Sequence, residues 1–299
     1  MSKQWQLDQQ YADVMGNHPF GIALYRPLPR SSFNPGSCGY FDDFGAWNPI
    51  AHFDDGAEAL REKGLSTAQE LEKAPVDDGI IWGPKTSSRT RATKVELSGG
   101  IDPALGIPIT VSAVYSYSVD KDIGAILLTS PRITYERYYH SSPFKRWCKE
   151  NAPTILRRWP EVKTHGLWII TSTHSTKKCA INMWDARGRR LKVGFDAEVA
   201  GLGKAGPNGS WYRSQSDEGW GEYTTEGDDK SVVFFGGLKF QYSWVLGRDL
   251  KRIATDVLRG EEQPESITAF LDPGNEEKSF LVDCEEYLSE EESKEPPEC

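Results

Sequence analysis

The stretch from Ile107 to Val119 alternates between apolar and hydroxyl side chains, and this period of two constrains the fold more than any other feature. Successive strand residues point to opposite faces, so the pattern predicts a β-strand with one apolar face. We expect a turn at residues 120–122 and a return strand over Ile123–Thr129, forming a hairpin. The apolar face comprises Ile109, Val111, Ala113, Tyr115, Tyr117 and Val119.

A second hairpin is predicted from Cys179–Trp184 and Leu191–Val199, joined by a basic turn at residues 187–190. In the latter segment Leu191, Val193, Phe195, Ala197 and Val199 alternate with Lys192, Gly194, Asp196 and Glu198. A soluble protein uses such strands with one face buried. A transmembrane β-strand needs the same alternation over about 9 to 11 residues. Both interpretations remain open, and the candidate membrane-inserting residues are Ile109, Val111, Ala113, Tyr115, Tyr117, Leu191, Val193, Phe195 and Val199.

Charge is strongly segregated along the chain. The whole chain has 35 Lys and Arg against 44 Asp and Glu, a net charge of −9. Residues 248–299 hold 6 basic and 16 acidic residues, whereas Arg132–Lys192 holds 14 basic and 4 acidic residues. This asymmetry indicates an anionic partner for the body and a masking role for the acidic segment.

The basic stretch contains two short amphipathic helical segments, predicted to begin at Ser142 and to be interrupted at Pro153. Helical spacing predicts one inward face with Phe144, Trp147 and Cys148, and an outward direction for Lys145, Arg146, Lys149, Arg157 and Arg158. Three interpretations are open: a solvated charged face, a nucleic-acid surface in which Trp and Arg interleave, and a face for an anionic membrane. Basic residues beside amphipathic helices and alternating strands favour the membrane. The candidate lipid contacts are Lys145, Arg146, Lys149, Arg157, Arg158, Lys177, Lys178, Arg187, Arg189, Arg190 and Lys192.

Other function classes lack their signatures. No run approaches the roughly 18 apolar residues of a membrane-spanning helix, and the N-terminus lacks the apolar stretch of a secretory signal. The five cysteines are scattered without a CxxC motif, and the five histidines show no metal-ligand spacing. Walker A, HExxH and GxSxG motifs are missing. We therefore predict no enzyme, no cofactor and no metal, in a cytoplasmic protein with reduced thiols.

Five segments carry a family resemblance: PFGIALYRP, GYFDDFGAWNPI, HGLWIITST, TKKCAINMW and VVFFGGLKFQYSW. In their order along residues 1–259, these segments resemble the gasdermin pore-forming domain. They are most similar to the fungal gasdermin-like branch, which triggers regulated cell death in heterokaryon incompatibility (fungal allorecognition).

The resemblance implies an α+β fold, a twisted mixed β-sheet with flanking helices. It implies binding to acidic phospholipids, assembly into a ring-shaped homo-oligomer, and insertion of β-hairpins that makes a lytic pore. Such a protein is cytoplasmic while inactive and lies at the plasma membrane when active. Nucleic acid is not an expected partner. The rival prediction is a Trp-rich β-domain that binds nucleic acid or carbohydrate without membrane damage.

The resemblance also implies control by a C-terminal segment that a protease removes. We expect residues 1–259 to form the pore-forming domain and residues 260–299 an acidic inhibitory tail. A subtilisin-like protease would cut after a large apolar residue, which makes Phe270 or Leu271 the candidate position. The segment after Ser279 is predicted as an amphipathic helix, and we expect its apolar side, with Phe280, Leu281, Tyr287 and Leu288, to dock on the body. A disordered, merely solubilising tail is the alternative.

Overall fold

The computed structural model describes residues 3–95, 111–119, 123–130, 132–185, 191–196, 213–214, 219–246, 268–272 and 275–287. Helices in these ranges are α1 (Lys3–Met15), α2 (Gly56–Glu62), α3 (Ser142–Arg158) and α4 (Val162–His165). The first strands are β1 (Ile22–Pro29), β2 (Ser37–Phe41), β3 (Trp47–His52), β4 (Asp77–Ile80), β5 (Lys85–Thr86), β6 (Thr90–Val95), β7 (Val111–Val119), β8 (Ile123–Thr129) and β9 (Ile133–Arg137). The others are β10 (Leu167–Thr176), β11 (Lys178–Asp185), β12 (Leu191–Asp196), β13 (Arg213–Ser214), β14 (Trp220–Thr224), β15 (Ser231–Leu246), β16 (Thr268–Asp272) and β17 (Asn275–Tyr287).

The predicted α+β class is confirmed. A nine-stranded sheet runs in the order β16-β17-β15-β10-β2-β3, with β1 paired to β15, β9 to β10 and β4 to β9. The strand pairs in the described ranges are antiparallel, as in β10 against β15 from Leu167–Phe240 to Thr176–Ser231. We call this nine-stranded sheet the main sheet.

Helix α3 covers one face of the main sheet. Phe144, Trp147 and Cys148 lie at helical spacing and are buried, as their sequence spacing predicts, and Ile155 and Leu156 continue the buried stripe. They pack against Leu238 and Phe240 of β15. The predicted interruption at Pro153 is wrong. The helix continues through this proline to Arg158, and packing of its apolar stripe offsets the lost backbone hydrogen bond.

Two four-stranded sheets lie beside the main sheet. The inner sheet has the order β14-β11-β8-β5, and the outer sheet has the order β13-β12-β7-β6. Both predicted hairpins are therefore wrong in their pairing. Strand β7 pairs with β6 and β12, and β8 pairs with β5 and β11, so consecutive strands belong to different sheets.

The inner sheet is buried on both faces. On one side of β8, Ala125 and Leu127 pack in a cluster with Tyr11 and Met15 of α1. On the other side, Ile126 and Leu128 pack in a cluster with the outer sheet. Burial on both faces explains why β8 is a continuous apolar run whereas β7 alternates.

The predicted amphipathic helix after Ser279 is also wrong. Residues Asn275–Tyr287 form strand β17, which pairs antiparallel with β15 from Gly237–Tyr287 to Leu246–Lys278. Strand β16 then pairs with β17. An edge of β15 supplies hydrogen-bond partners that an isolated segment lacks, so a strand forms where helical spacing alone suggested a helix.

Candidate membrane interface and tail contact

The pairing of β8 with β11 in the inner sheet and the pairing of β7 with β12 in the outer sheet follow one common register. In the inner sheet, Ile123 of β8 pairs with Asp185 of β11. In the outer sheet, Tyr117 of β7 pairs with Leu191 of β12. Ile123 follows Tyr117 by six positions, and Leu191 follows Asp185 by six positions. Because this offset is the same on both chain segments, the two pairs of strands share one register without a shift. We call strands β7 and β8 together with strands β11 and β12 the folded ribbon.

Strands β7 and β12 form the outer half of the folded ribbon. The apolar face of this outer half is buried between the inner and outer sheets. Tyr117, Val119 and Val193 have at most 7 % of their surface exposed. They pack against Ile126, Leu128, Ala180 and Trp184 of the inner sheet. Tyr115 and Leu191 are partly buried at the margin of this cluster. The structure thus brings together four predicted membrane-inserting residues, in the half-buried arrangement expected of a soluble state: Tyr115, Tyr117, Leu191 and Val193.

Other predicted membrane-inserting residues are only partly described. Val111 and Ala113 lie on β7 and Phe195 lies on β12, where Ala113 pairs with Phe195. Their side chains are outside the description, and Ile109 and Val199 lie outside the described residues. Their role therefore stays a prediction.

A glycine in β8 allows the tryptophan of the neighbouring strand β11 to approach closely. Gly124 of β8 pairs with Trp184 of β11, and a Cβ atom at this position would lie 2.5 Å from the Trp184 ring. The absence of a side chain at Gly124 thus leaves room for the Trp184 ring, which is 7 % exposed in the cluster between the sheets. Nothing in the sequence pattern pointed to this contact.

The predicted lipid contacts on α3 line its outer face. Lys149, Arg157 and Arg158 are exposed. Arg146 is 59 % exposed and bonds to Glu70. Arg158 donates to the Glu62 carbonyl oxygen at 3.1 Å. This face is a cationic surface on a rigid helix, which agrees with the outward direction predicted for these residues.

The remaining predicted lipid contacts lie elsewhere. Lys177 and Lys178 are at the junction of β10 and β11, where the ammonium of Lys177 lies 3.8 Å from a carboxylate oxygen of Asp228. Lys192 is on β12 opposite Ser116. Arg187, Arg189 and Arg190 lie outside the described residues. Their contribution to a lipid-binding face stays a prediction.

Strand β17 docks on the body with alternating side chains. Val282 is 4 % exposed and belongs to the cluster under α3, and Cys284 packs against the same cluster. Two residues further along this face, the carboxylate of Glu286 accepts a 2.7 Å ion pair from Lys145 of α3. These partners are 26 % and 40 % exposed, so the pair itself contributes little stability. The buried apolar contacts and the strand pairing hold the tail.

The opposite face of β17 contacts β10 through the last residue of the strand. The ring of Tyr287 lies 5.1 Å from that of Trp168, and its hydroxyl donates to Glu285 at 2.7 Å. Burial and this hydrogen bond raise the pKa of Tyr287 to about 12. The expectation that Tyr287 docks on the body is thus met in the described residues, although by a strand. Phe270 and Leu271 lie on β16, the outermost strand of the main sheet.

The exposure of aromatic side chains in the described part of the chain bears on the rival binding function, and Phe44 and Tyr139 are the large aromatic residues exposed there. The exposed large apolar residues there are Leu7, Phe44, Val76, Ile81 and Tyr139. Trp147, Trp168 and Trp184 are buried, and Trp47, Trp82 and Trp220 are partly buried. Base stacking requires aromatic faces that are open to the ligand. The described tryptophans serve the core instead.

Three other features of the described ranges bear on function. No group of three or more His, Cys, Asp or Glu side chains there could hold a metal ion. None of the helices described is both long and apolar enough to span a bilayer. Cys38, Cys148, Cys179 and Cys284 are free thiols. Burial raises the pKa of Cys148 to about 12, which keeps this thiol protonated and unreactive at neutral pH.

Comparison with known proteins gives a limited result. No known protein family matches the sequence, and no curated protein matches it. Among solved structures, a bacterial gasdermin from Bradyrhizobium tropiciagri is similar at a TM-score of 0.26 and 13 % identity, over 72 % of this chain and 80 % of that one. The gasdermin A3 membrane pore, determined by cryo-EM, is similar at a TM-score of 0.26 and 12 % identity, over 76 % of this chain and 89 % of that one. Scores this low establish no common fold.

Proposed function

We propose that this chain is a membrane pore-forming protein that acts in lytic regulated cell death. The observation that carries the proposal is the shared register of the folded ribbon, in which the pairing of β8 with β11 can continue into that of β7 with β12. If β7 and β12 moved together away from the inner sheet, they could extend the β8–β11 pair into a longer two-stranded ribbon. The β7–β12 and β8–β11 backbone pairs would stay intact.

The outer half suits insertion into a bilayer. Strand β7 has nine residues, close to the length of about 9 to 11 that a transmembrane strand requires. Its apolar face now packs on the inner sheet and would contact lipid instead. Its serine face would line an aqueous lumen. A closed barrel satisfies the backbone hydrogen bonds of every strand, so insertion needs several copies arranged in a ring.

Electrostatic attraction would bring the protein to the membrane. Each basic residue near an anionic surface contributes about 1 kcal/mol, and α3 presents several exposed ones. Acidic phospholipids are thus the proposed partner, and the protein would move from the cytoplasm to the plasma membrane on activation. The ion pair between Lys145 and Glu286 supports a masking role for the tail, because it places a tail carboxylate against a basic residue of α3.

Removal of the tail is the proposed activation step, with residues 1–259 as the active body and 260–299 as the inhibitor. A cut after Phe270 or Leu271 by a subtilisin-like protease falls in β16. Such a cut leaves β17 paired to β15, because β17 begins at Asn275. Activation therefore requires β17 to dissociate after cleavage. Dye release from acidic vesicles by chains 1–260 and 1–299 tests the proposal; equal release, or none from either chain, contradicts it.

Insertion of the apolar face can be tested with a pair of adjacent substitutions. In the chain ending at residue 260, Tyr115→Asp places a carboxylate on the face that would contact lipid and should reduce dye release at least about tenfold, because a charge in hydrocarbon costs several kcal/mol. Ser116→Asp lies on the opposite face and should retain release. Both variants must first show a cooperative thermal transition like that of the parent. Equal release by the two folded variants would refute the facing assigned to β7.

Binding to lipid should depend on α3 and on salt. Lys149→Glu combined with Arg157→Glu changes the charge by four units on an exposed helix face, so it should abolish cosedimentation with phosphatidylserine vesicles. Raising the ionic strength should weaken binding of the parent, since exposed charges are screened over about 8 Å at physiological salt. The matched control is Glu58→Gln with Glu62→Gln on α2, which should leave binding intact. Salt-insensitive binding by the charge-reversed variant would overturn the assignment.

A further inference from the structure

A buried histidine lies at the point where β5 meets the main sheet. His174 of β10 is 1 % exposed. Its ring stacks on Tyr135 with centroids 4.4 Å apart, and the rings of Phe20 and Trp82 lie 5.0 and 5.2 Å away. Its Nδ1 atom is buried and has no hydrogen-bond partner in the described part of the chain.

The same aromatic group holds the first residue of β5. The ammonium of Lys85 lies 5.0 Å from the Phe20 ring centroid and 5.2 Å from that of Trp82. The next residue, Thr86, accepts hydrogen bonds at its carbonyl oxygen from Asn17 at 3.3 Å and from the His18 ring at 3.0 Å. Strand β5 is the edge of the inner sheet and pairs there with β8 alone. The aromatic group is therefore a clamp on an edge strand.

The charges around His174 favour its neutral form. Burial, with the nearby positive charge of Lys85 as a smaller cause, lowers the pKa of His174 to about 3. Tyr135 of β9 is the ionisable side chain stacked on the ring. Phe234 of β15, opposite His174, carries no charge. Glu136, the neighbour of Tyr135, is bound by Arg30.

We propose that His174 and Lys85 form a proton-sensitive clamp on β5, which acid opens by placing a second cation in the aromatic group. Like charges at short range repel, and an imidazolium with an unpartnered ring nitrogen cannot remain buried. Release of the clamp frees the edge strand of the inner sheet from the N-terminal segment. That this release favours membrane insertion rests on the proposed function; the clamp itself can be tested in solution.

The direction of the pH effect follows from the lowered pKa. The open state binds a proton with the ordinary pKa of about 6.5, whereas the closed state does so only near 3. The clamp is fully stable above about pH 6.5 and loses stability as the pH falls below it. Between about pH 7.5 and 5.5 the opening constant should rise about tenfold, which corresponds to about 1.4 kcal/mol.

Hydrogen exchange of the full-length chain tests the clamp without any membrane. The amides of residues 85–90, corrected for intrinsic exchange, should open about tenfold more at about pH 5.5 than at 7.5. His174→Phe retains the aromatic packing and cannot be protonated, so its response should fall below about twofold. The control is the exposed histidine His140, since His140→Gln should respond like the parent. A full response in folded His174→Phe, or a flat response in the parent, overturns the proposal.

A measurement on the unsubstituted protein guards against misfolding of the variant. The ring protons of His174, followed by NMR, should show no titration between about pH 7.5 and 5 while the protein is folded. A midpoint within about one unit of 6.5 would contradict the proposal. Failure of vesicle leakage would instead refute the pore function and leave these two results unaffected.

Discussion

Replacing Val282 with aspartate should release the tail and make the full-length chain behave like its truncated form. Val282 is 4 % exposed in the apolar cluster under α3, and a carboxylate there would be buried without a partner. An uncompensated buried charge costs about 3 to 5 kcal/mol, enough to shift docking of β17 by more than about a hundredfold. Dye release from acidic vesicles should then approach that of the chain ending at residue 260.

The matched control for this substitution is the next residue of β17. Asp283 is exposed, so Asp283→Asn should leave the full-length chain inactive. Limited proteolysis provides a second readout, since an undocked tail is cut before the body. A Val282→Asp chain with a protected tail and no leakage would show that strand docking does not control activity. Leakage by both variants would show that the buried face of β17 has no specific role in inhibition.

Replacing Gly237 with alanine should destabilise the whole fold. Gly237 of β15 pairs with Ile170 of β10 at the centre of the main sheet. An added Cβ would overlap the Ile169 carbonyl oxygen and lie 3.2 Å from the carbonyl carbon. These are backbone atoms of a central strand and cannot move alone. The free energy of unfolding, measured in urea, should fall by at least about 3 kcal/mol, the upper end of the ordinary range for overpacking.

Gly83 supplies the control, because a Cβ there would meet nothing within 4 Å. Gly83→Ala should change the free energy of unfolding by no more than about 0.5 kcal/mol. Gly236→Ala affects the tail contact as well as β10, since its Cβ would lie 2.5 Å from the Ser172 hydroxyl oxygen and 2.8 Å from the carbonyl oxygen of Tyr287. It should speed proteolysis of the tail. Equal stability of the Gly237 and Gly83 variants would refute the close approach of β10 and β15.

Residue pattern alone identified several local features correctly. Alternation placed Tyr117 and Val119 on one buried face of β7, and helical spacing placed Phe144 and Trp147 on the buried side of α3. Exposure of Lys149 on the other side of α3 follows from the same spacing. These are properties of neighbouring residues, because the direction of a side chain depends on the local period of the backbone.

The pairing of strands was decided by the tertiary structure. A period of two shows which residues share a face but not which strand lies alongside, so a short connection after Val119 suggested a hairpin with β8. Contacts between residues far apart in sequence place these strands in different sheets, with Tyr117 opposite Leu191 and Ile123 opposite Asp185. The shared register of the folded ribbon therefore could not be read from either segment alone.

The acidic tail shows the same division. The sequence by itself predicts that the tail is acidic and has an apolar side. The docked segment has both properties, since Val282 is buried and Glu286 forms an ion pair with Lys145. Its conformation depends on a partner, since the open edge of β15 supplies backbone donors and acceptors that make a strand more favourable than a helix. Hydrogen bonds of a helix lie within its own segment, whereas those of a strand lie in another part of the chain, and only the folded molecule brings that part alongside.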